Sequence, residues 1–376
     1  MKLGVDLSMQ EELNEYSPHY YYEGGEVDPY LFFSKQCKVD SLRLRLWHHP
    51  FDAEGNPYGG GTNDLERFIV QAKKGMQAGM KILLDFHFSD FFVDPSRQFL
   101  PKAWANASYD ELEGLVEAYV RETLTRIQKE GIELFAIQIG NETMSGFLHP
   151  FGNVNNPFVP GKGGGFAGFA RFYKVAHKVC KEIYPNALTL VHIIHPGNFD
   201  IQKWWLDGVL QEGIEFDVIG ESYYPYWHGN LIDLEASLKK VKERYHKPIW
   251  IVEMGYEWAQ SKLEGHHSEL QNDTDEFKEG NLKGRVPFPL TKQGQVDYLK
   301  YFFLLCKRVG VERAYYWEPT WVELPNQGWA KPAGMIYCGL EPGPAGNDWA
   351  NETLFDYEGH ANPAVEVFNQ DFVDKL

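Results

Sequence analysis

The chain has 376 residues, with 36 Lys and Arg against 53 Asp and Glu, a net charge of −17 at pH 7. Its 43% hydrophobic and 15% aromatic content excludes a disordered chain. The acidic excess argues against nucleic acid or an anionic membrane surface as partner, and for a neutral or cationic substrate.

The first segment, Leu3–Leu7, is an apolar strand pattern that starts almost at the N-terminus. No basic n-region and apolar h-region precede it, so the chain as given is expected in the cytoplasm; secretion after removal of a leader is the alternative. No window approaches the run of about 18 apolar residues that a membrane span needs. Cys180 and Cys306 lie in helical patterns with apolar neighbours and read as buried free thiols.

Strand two, Ser41–Trp47, carries Arg43, Arg45 and Trp47 on one face, which the period of two aims into a barrel or its mouth. A cation beside a carboxylate keeps it ionised at neutral pH. Arg45, nearer the strand end, is expected to orient Glu253, and Arg43 to form a structural ion pair. A helical pattern at Asp64–Ala78 leads to strand three, Lys81–Phe86, followed by His87 and Asp90. His87 is expected to hydrogen-bond a sugar hydroxyl or tune an acid, and Asp90 to bind a hydroxyl or cap a turn.

After the helical pattern Tyr109–Lys129 comes strand four, Leu134–Ile139, which runs out into Gly140-Asn141-Glu142. Gly163-Gly-Gly-Phe-Ala-Gly168 fits a nucleotide-binding glycine pattern, but no strand precedes it and a dinucleotide site is not expected. A helix at Phe169–Ile183 and strand five, Leu188–Val191, follow, then His192. Strand six, Phe216–Ile219, precedes Tyr223 and Tyr224, either of which could donate its hydroxyl to a nucleophilic carboxylate. After the helical pattern Leu231–Tyr245, strand seven, Ile249–Val252, ends directly on Glu253.

Two Glu at strand ends are what glycoside hydrolysis needs, one acid to protonate the leaving oxygen and one nucleophile to capture the anomeric centre. Asn141 could hold a sugar 2-hydroxyl. The charged stretch 264–283 reads as a barrel loop, because the helical pattern Gln293–Val309 and strand eight, Arg313–Trp317, come after it.

Eight strands with crossovers imply an α/β fold, a single (β/α)8 TIM barrel over residues 1–376 with long βα loops at its C-terminal face, where such barrels place their chemistry. Of the eleven Trp, Trp47, Trp104, Trp227, Trp258, Trp317, Trp321, Trp329 and Trp349 follow or end strands. Their flat faces suit the apolar face of a pyranose. Trp317 is expected to floor the cleavage subsite, with Trp349 and Trp321 beside it.

The stretches Gly55–Asp64, Leu83–Asp90, Pro101–Trp104, Ser222–Gly229, Pro289–Gln295, Tyr316–Pro319 and Trp349–Asp356 resemble glycoside hydrolase family 53, the arabinogalactan endo-β-1,4-galactanases of clan A. The resemblance implies Glu142 as acid/base, Glu253 as nucleophile, His192 as a site histidine, Glu318 as a substrate-binding residue, and retaining cleavage of β-1,4-galactan or galacto-oligosaccharides. It departs from the family at Trp47-His-His-Pro50 and at Glu221. The altered cleft together with the absence of a leader in the chain as given leaves one rival, an intracellular exo-acting or short-oligomer β-glycosidase with shifted specificity; a non-catalytic carbohydrate-binding barrel would be expected only if either Glu were missing, and both are present. No cofactor is required by this chemistry. The loop 261–285 lacks the calcium-binding pattern of some bacterial members, so calcium is not predicted, although Asn272, Asp273 and Asp275 could supply oxygen ligands. The chain is expected to act as a monomer.

Overall fold

A computed structural model describes residues 1–260, 282–343 and 345–376. Eight parallel strands close on themselves in chain order: β1 (Lys2–Asp6), β2 (Ser41–Leu46), β3 (Lys81–Phe86), β4 (Leu134–Ile139), β5 (Leu188–Ile193), β6 (Val218–Tyr223), β7 (Ile249–Met254) and β8 (Arg313–Trp317), the last pairing with β1. The strands are nearly continuous apolar runs because helices cover them on one side and the barrel interior on the other.

The lower interior is filled by Leu83, Ala136, Leu190, Val218, Trp250, Val252 and Tyr315. There the Trp250 ring stacks on Phe135 at 5.7 Å. Packing is tight enough that a Cβ on Gly4 would lie 2.3 Å from the Tyr315 ring. Above this layer the interior turns polar, and the register that sets Asp6 beside Arg43 and Arg45 beside Asp85 builds the floor of the mouth.

The covering helices begin where the sequence supplies caps. Asp64 accepts from the Arg67 amide before α1 (Leu65–Ala78), and Ser108 with Glu111 forms a capping box before α2 (Tyr109–Lys129). α3 is Gly165–Ile183, α4 is Phe199–Gln211, α5 is Leu231–Tyr245 and α6 is Lys292–Val309. Asn198, Asn230 and Thr291 cap the last three.

Five strands differ from the expected bounds: β1 lies one residue earlier, β2 stops at Leu46 before Trp47, β7 runs on through Glu253 and Met254, and β5 and β6 extend further at their C-terminal ends. β5 runs on through His192 and Ile193, so His192 belongs to the strand rather than to the loop after it. β6 starts two residues later than expected and continues through Glu221-Ser222-Tyr223, with a register shift between Glu221 and Ser222. Polar residues there look like a loop, yet all six residues of the strand are buried. α4 has no counterpart among the helices expected above, and α3 begins four residues early because the Gly-rich segment joins it.

Candidate active site

The strand ends surround a cleft of about 590 Å³ whose wall includes Arg45, His87, Asn141, Glu142, Tyr224 and Glu253, together with Trp227, Trp317, Trp321, Trp329 and Trp349. At the end of β4 the chain turns sharply, with Gly140 at φ 88° and Glu142 at φ 47°. Left-handed backbone is costly for a residue with a Cβ and is held only where the surroundings require it. A Cβ on Gly140 would stand 2.5 Å from Thr143 Cγ2, so this turn demands glycine. Glu253 reaches the same cleft from within β7, opposite Ser222 of β6.

Arg43 organises the floor. Only 1% exposed, it meets Asp6 at 2.9 Å, Asp85 at 2.8 Å and Glu253 Oε1 at 2.8 Å. It also donates to Asn141 Oδ1 at 3.0 Å and to Gln138 Oε1 at 3.1 Å. A buried guanidinium with this many acceptors is a fixed charge, and its contacts are charge-assisted. Tyr224 adds a hydroxyl donor to Glu253 Oε2 at 3.4 Å.

The two glutamates differ in consequence. Burial pushes Glu142 up to about 8, and the negative charge of Glu253 pushes the same way. Burial also raises Glu253, but the Arg43 guanidinium opposes it directly. Since Arg43 contacts Glu253, the proton shared by the pair resides on Glu142 and the charge on Glu253. His87 is held neutral by burial, its Nε2 facing Asp85 Oδ2 at 3.0 Å while Nδ1 accepts the Trp47 indole N–H at 3.2 Å.

Several expected site residues stand elsewhere. Arg43, not Arg45, touches Glu253; Arg45 pairs with Glu318 at 2.5 Å, donates to the Gly60 carbonyl at 2.9 Å, and lies over the rings of Phe92 and Trp317. Being one pleat higher carries it past the carboxylate. Tyr224, not Tyr223, donates to Glu253; Tyr223 points outward, stacks on Phe302 and donates to the Gly229 carbonyl.

Glu318 is buried outside the cleft wall, accepting from Arg45 and from the Met9 amide. Trp47 is fully buried among Tyr58, Phe91 and Ala330. Asp90 is likewise buried, accepting from the backbone amides of His49 and Lys102 and so pinning loops rather than facing the cleft. His192 lies behind Glu142, where its Nδ1 accepts the Glu142 backbone N–H at 3.2 Å. His87, Asn141, Trp317, Trp321 and Trp349 do line the cleft. Asn141, however, spends its amide group on the Val93 carbonyl and its oxygen on Arg43.

Residues not anticipated as wall positions are Asp94 and Arg97, an ion pair at 3.0 Å, with Phe92 beside them on the loop after β3. Among the described residues no group of three or more His, Cys, Asp or Glu is arranged to hold a metal ion. Asn272, Asp273 and Asp275 lie outside the described residues.

A model of glycosyl hydrolase family 53 matches residues 2–368 of the chain. An endo-beta-1,4-galactanase of Bacillus subtilis (strain 168) is 29% identical, with 97% of this chain and 84% of the relative covered. An arabinogalactan endo-beta-1,4-galactanase of Cellvibrio japonicus (strain Ueda107) is 30% identical over 98% of this chain and 91% of its own length. Among solved structures, the Ignisphaera aggregans GH53 catalytic domain superposes with a TM-score of 0.85 at 32% identity, covering 98% of this chain and 95% of that one.

Proposed function

This chain belongs to glycosyl hydrolase family 53, and on that premise we propose that it cleaves β-1,4-galactosidic bonds of galactan or galacto-oligosaccharides with retention of configuration. It is a glycosidase built on a closed (β/α)8 barrel. The observation that carries the reading is the asymmetry of the two cleft glutamates: Arg43 contacts Glu253 at 2.8 Å, while burial keeps the proton on Glu142.

In the first step the Glu253 carboxylate attacks the anomeric carbon while Glu142 gives its proton to the leaving oxygen, forming a glycosyl ester and releasing the aglycone. In the second, the Glu142 carboxylate takes a proton from water; the hydroxide so formed displaces Glu253 and leaves Glu142 protonated again. The Trp317 and Trp349 rings, edge to face at 4.6 Å, form an apolar corner suited to the C–H face of a sugar.

The test is hydrolysis of β-1,4-galactan and galactotetraose, followed by NMR at early times. Products of several lengths with the β-anomer appearing first are expected; α-anomer first would overturn retention, and galactose alone would identify an exo-acting enzyme. Glu253→Gln should lower kcat by about 10⁴-fold or more while leaving Tm unchanged within a few degrees.

A further inference from the structure

The turn that presents Glu142 is held from behind by a residue that lines no part of the cleft. Glu142 sits at φ 47° and ψ 52°, left-handed backbone that a residue with a Cβ adopts only where its surroundings impose it. The peptide unit entering it is fastened at both ends. Its Asn141 carbonyl accepts the Gln98 side-chain amide at 2.8 Å, and its Glu142 N–H donates to His192 Nδ1 at 3.2 Å. One residue on, the Thr143 hydroxyl donates to the His192 carbonyl at 3.0 Å, and the Thr143 carbonyl accepts the Trp205 indole N–H at 2.9 Å. The Glu142 N–H has no other acceptor among the described residues. His192 itself is fully buried in β5 and absent from the cleft wall.

The clamp requires one tautomer. To accept, Nδ1 must be bare, which places the ring proton on Nε2, 2.8 Å from Ser222 Oγ. The other tautomer would donate from Nδ1 to Asn141 Oδ1 at 3.0 Å, but that oxygen already accepts from Arg43 at 3.0 Å and from Gln138 at 3.3 Å. It would also leave the Glu142 amide without an acceptor, which native structures rarely tolerate. A protonated ring would do the same, and burial, with Arg43, His87 and His228 nearby, opposes that charge.

Resting on the assignment of Glu142 as acid/base, we infer that neutral His192 is a positioning residue: through its Nδ1 and its backbone carbonyl it holds the left-handed turn that aims the Glu142 carboxyl at the leaving oxygen. With the N–H end of the Asn141–Glu142 peptide released, its rotation is resisted by Gln98 alone, and the Glu142 side chain swings with it. A misplacement of about 1 Å at a reacting group is enough to cost about 10²-fold. The nucleophile keeps its place, because Glu253 takes its contacts from Arg43 and Tyr224.

The experiment compares kcat/KM, which reports formation of the glycosyl ester, on two aryl β-1,4-galactobiosides. A dinitrophenyl group leaves unaided as its anion, whereas a phenyl group needs the proton of Glu142. His192→Ala should lose about 10²-fold on the phenyl substrate and less than about threefold on the dinitrophenyl one. His192→Asn, whose amide oxygen can stand where Nδ1 stood, should recover most of the phenyl activity. Equal losses on both substrates, the mark of a general structural defect, would overturn the proposal; so would no loss on either, or an Asn variant no better than Ala. ¹⁵N NMR of the wild-type ring does not depend on how the variants fold: a bare Nδ1 is expected, and a protonated one contradicts the clamp. Glu142→Ala, read on the same pair, separates the clamp from the reading it rests on. Full phenyl activity in Glu142→Ala would remove the acid/base assignment and the clamp together, whereas a leaving-group-sensitive Glu142→Ala beside a wild-type-like His192→Ala would remove the clamp alone.

Discussion

Arg43 and Arg45 are two positions apart on β2, share a face and are both 1% exposed, yet they meet different carboxylates. Arg43 is ringed by Asp6, Asp85 and Glu253, so a planar fork with several donors is needed there. A lysine keeps one charge but cannot reach three acceptors. Arg43→Lys is expected to lower kcat/KM by about 10²-fold or more and to destabilise the fold by about 3–5 kcal/mol, the range for breaking a buried ion pair. Arg45→Lys, which acts on Glu318, should lower Tm while sparing kcat more than tenfold better. Steady-state kinetics and thermal melts of the two variants settle it; the reverse ranking in kcat would contradict the geometry. The carboxylates themselves were legible in the sequence, because a Glu at or just past the C-terminal end of an apolar strand is carried to the mouth of a barrel. Which arginine and which tyrosine serve Glu253 was not legible. Parity assigns a face, but height on that face depends on the stagger between strands.

At the scale of elements, β6 departs most from its pattern. Glu221 shares the parity of Ile219 and Tyr223, which join the layer between barrel and helices. It is fully buried, and neither carboxyl oxygen has a hydrogen-bond partner among the described residues. Burial alone holds its pKa well above the usual carboxylate range. The folded protein therefore carries Glu221 protonated, whereas the unfolded chain ionises it above about pH 4.3. Stability from this raised group is fully present below that pH and is lost as pH rises toward the folded value. Glu221→Met, of similar volume and without charge, should raise stability at pH 8 by about 1–3 kcal/mol, with the advantage shrinking toward pH 5. Melting temperatures across that range read the effect, and a pH-independent gap would show that Glu221 is not the group responsible. The polar pair Glu221-Ser222 is also why the strand seemed to stop early: strand patterns are recognised by apolar alternation, and here the alternation is broken by residues the fold nonetheless buries.

Across the whole molecule, the charge of −17 has little to do with the cleft. Many acidic residues sit in exposed pairs such as Arg121–Glu182 and Arg244–Asp207, which contribute little each. A neutral polysaccharide feels none of this field, so KM for galactan should change less than about twofold between low and high salt; a steep dependence would point to a charged substrate. The tryptophans show the same division between face and contact. Of the eight at strand ends or beyond, Trp227, Trp317, Trp321, Trp329 and Trp349 line the cleft, while Trp47, Trp104 and Trp258 are buried under loops that fold back over them. By itself the sequence determined the barrel, because eight apolar runs separated by capped amphipathic helices have one economical closure, and it determined the glutamate pair, because strand ends in that closure converge. Only the tertiary structure decided which partners those glutamates meet. Barrel stagger and loop return set heights, burial and hydrogen-bond partners, and these arise between residues far apart in the chain, as Arg43, Asn141 and Glu253 are.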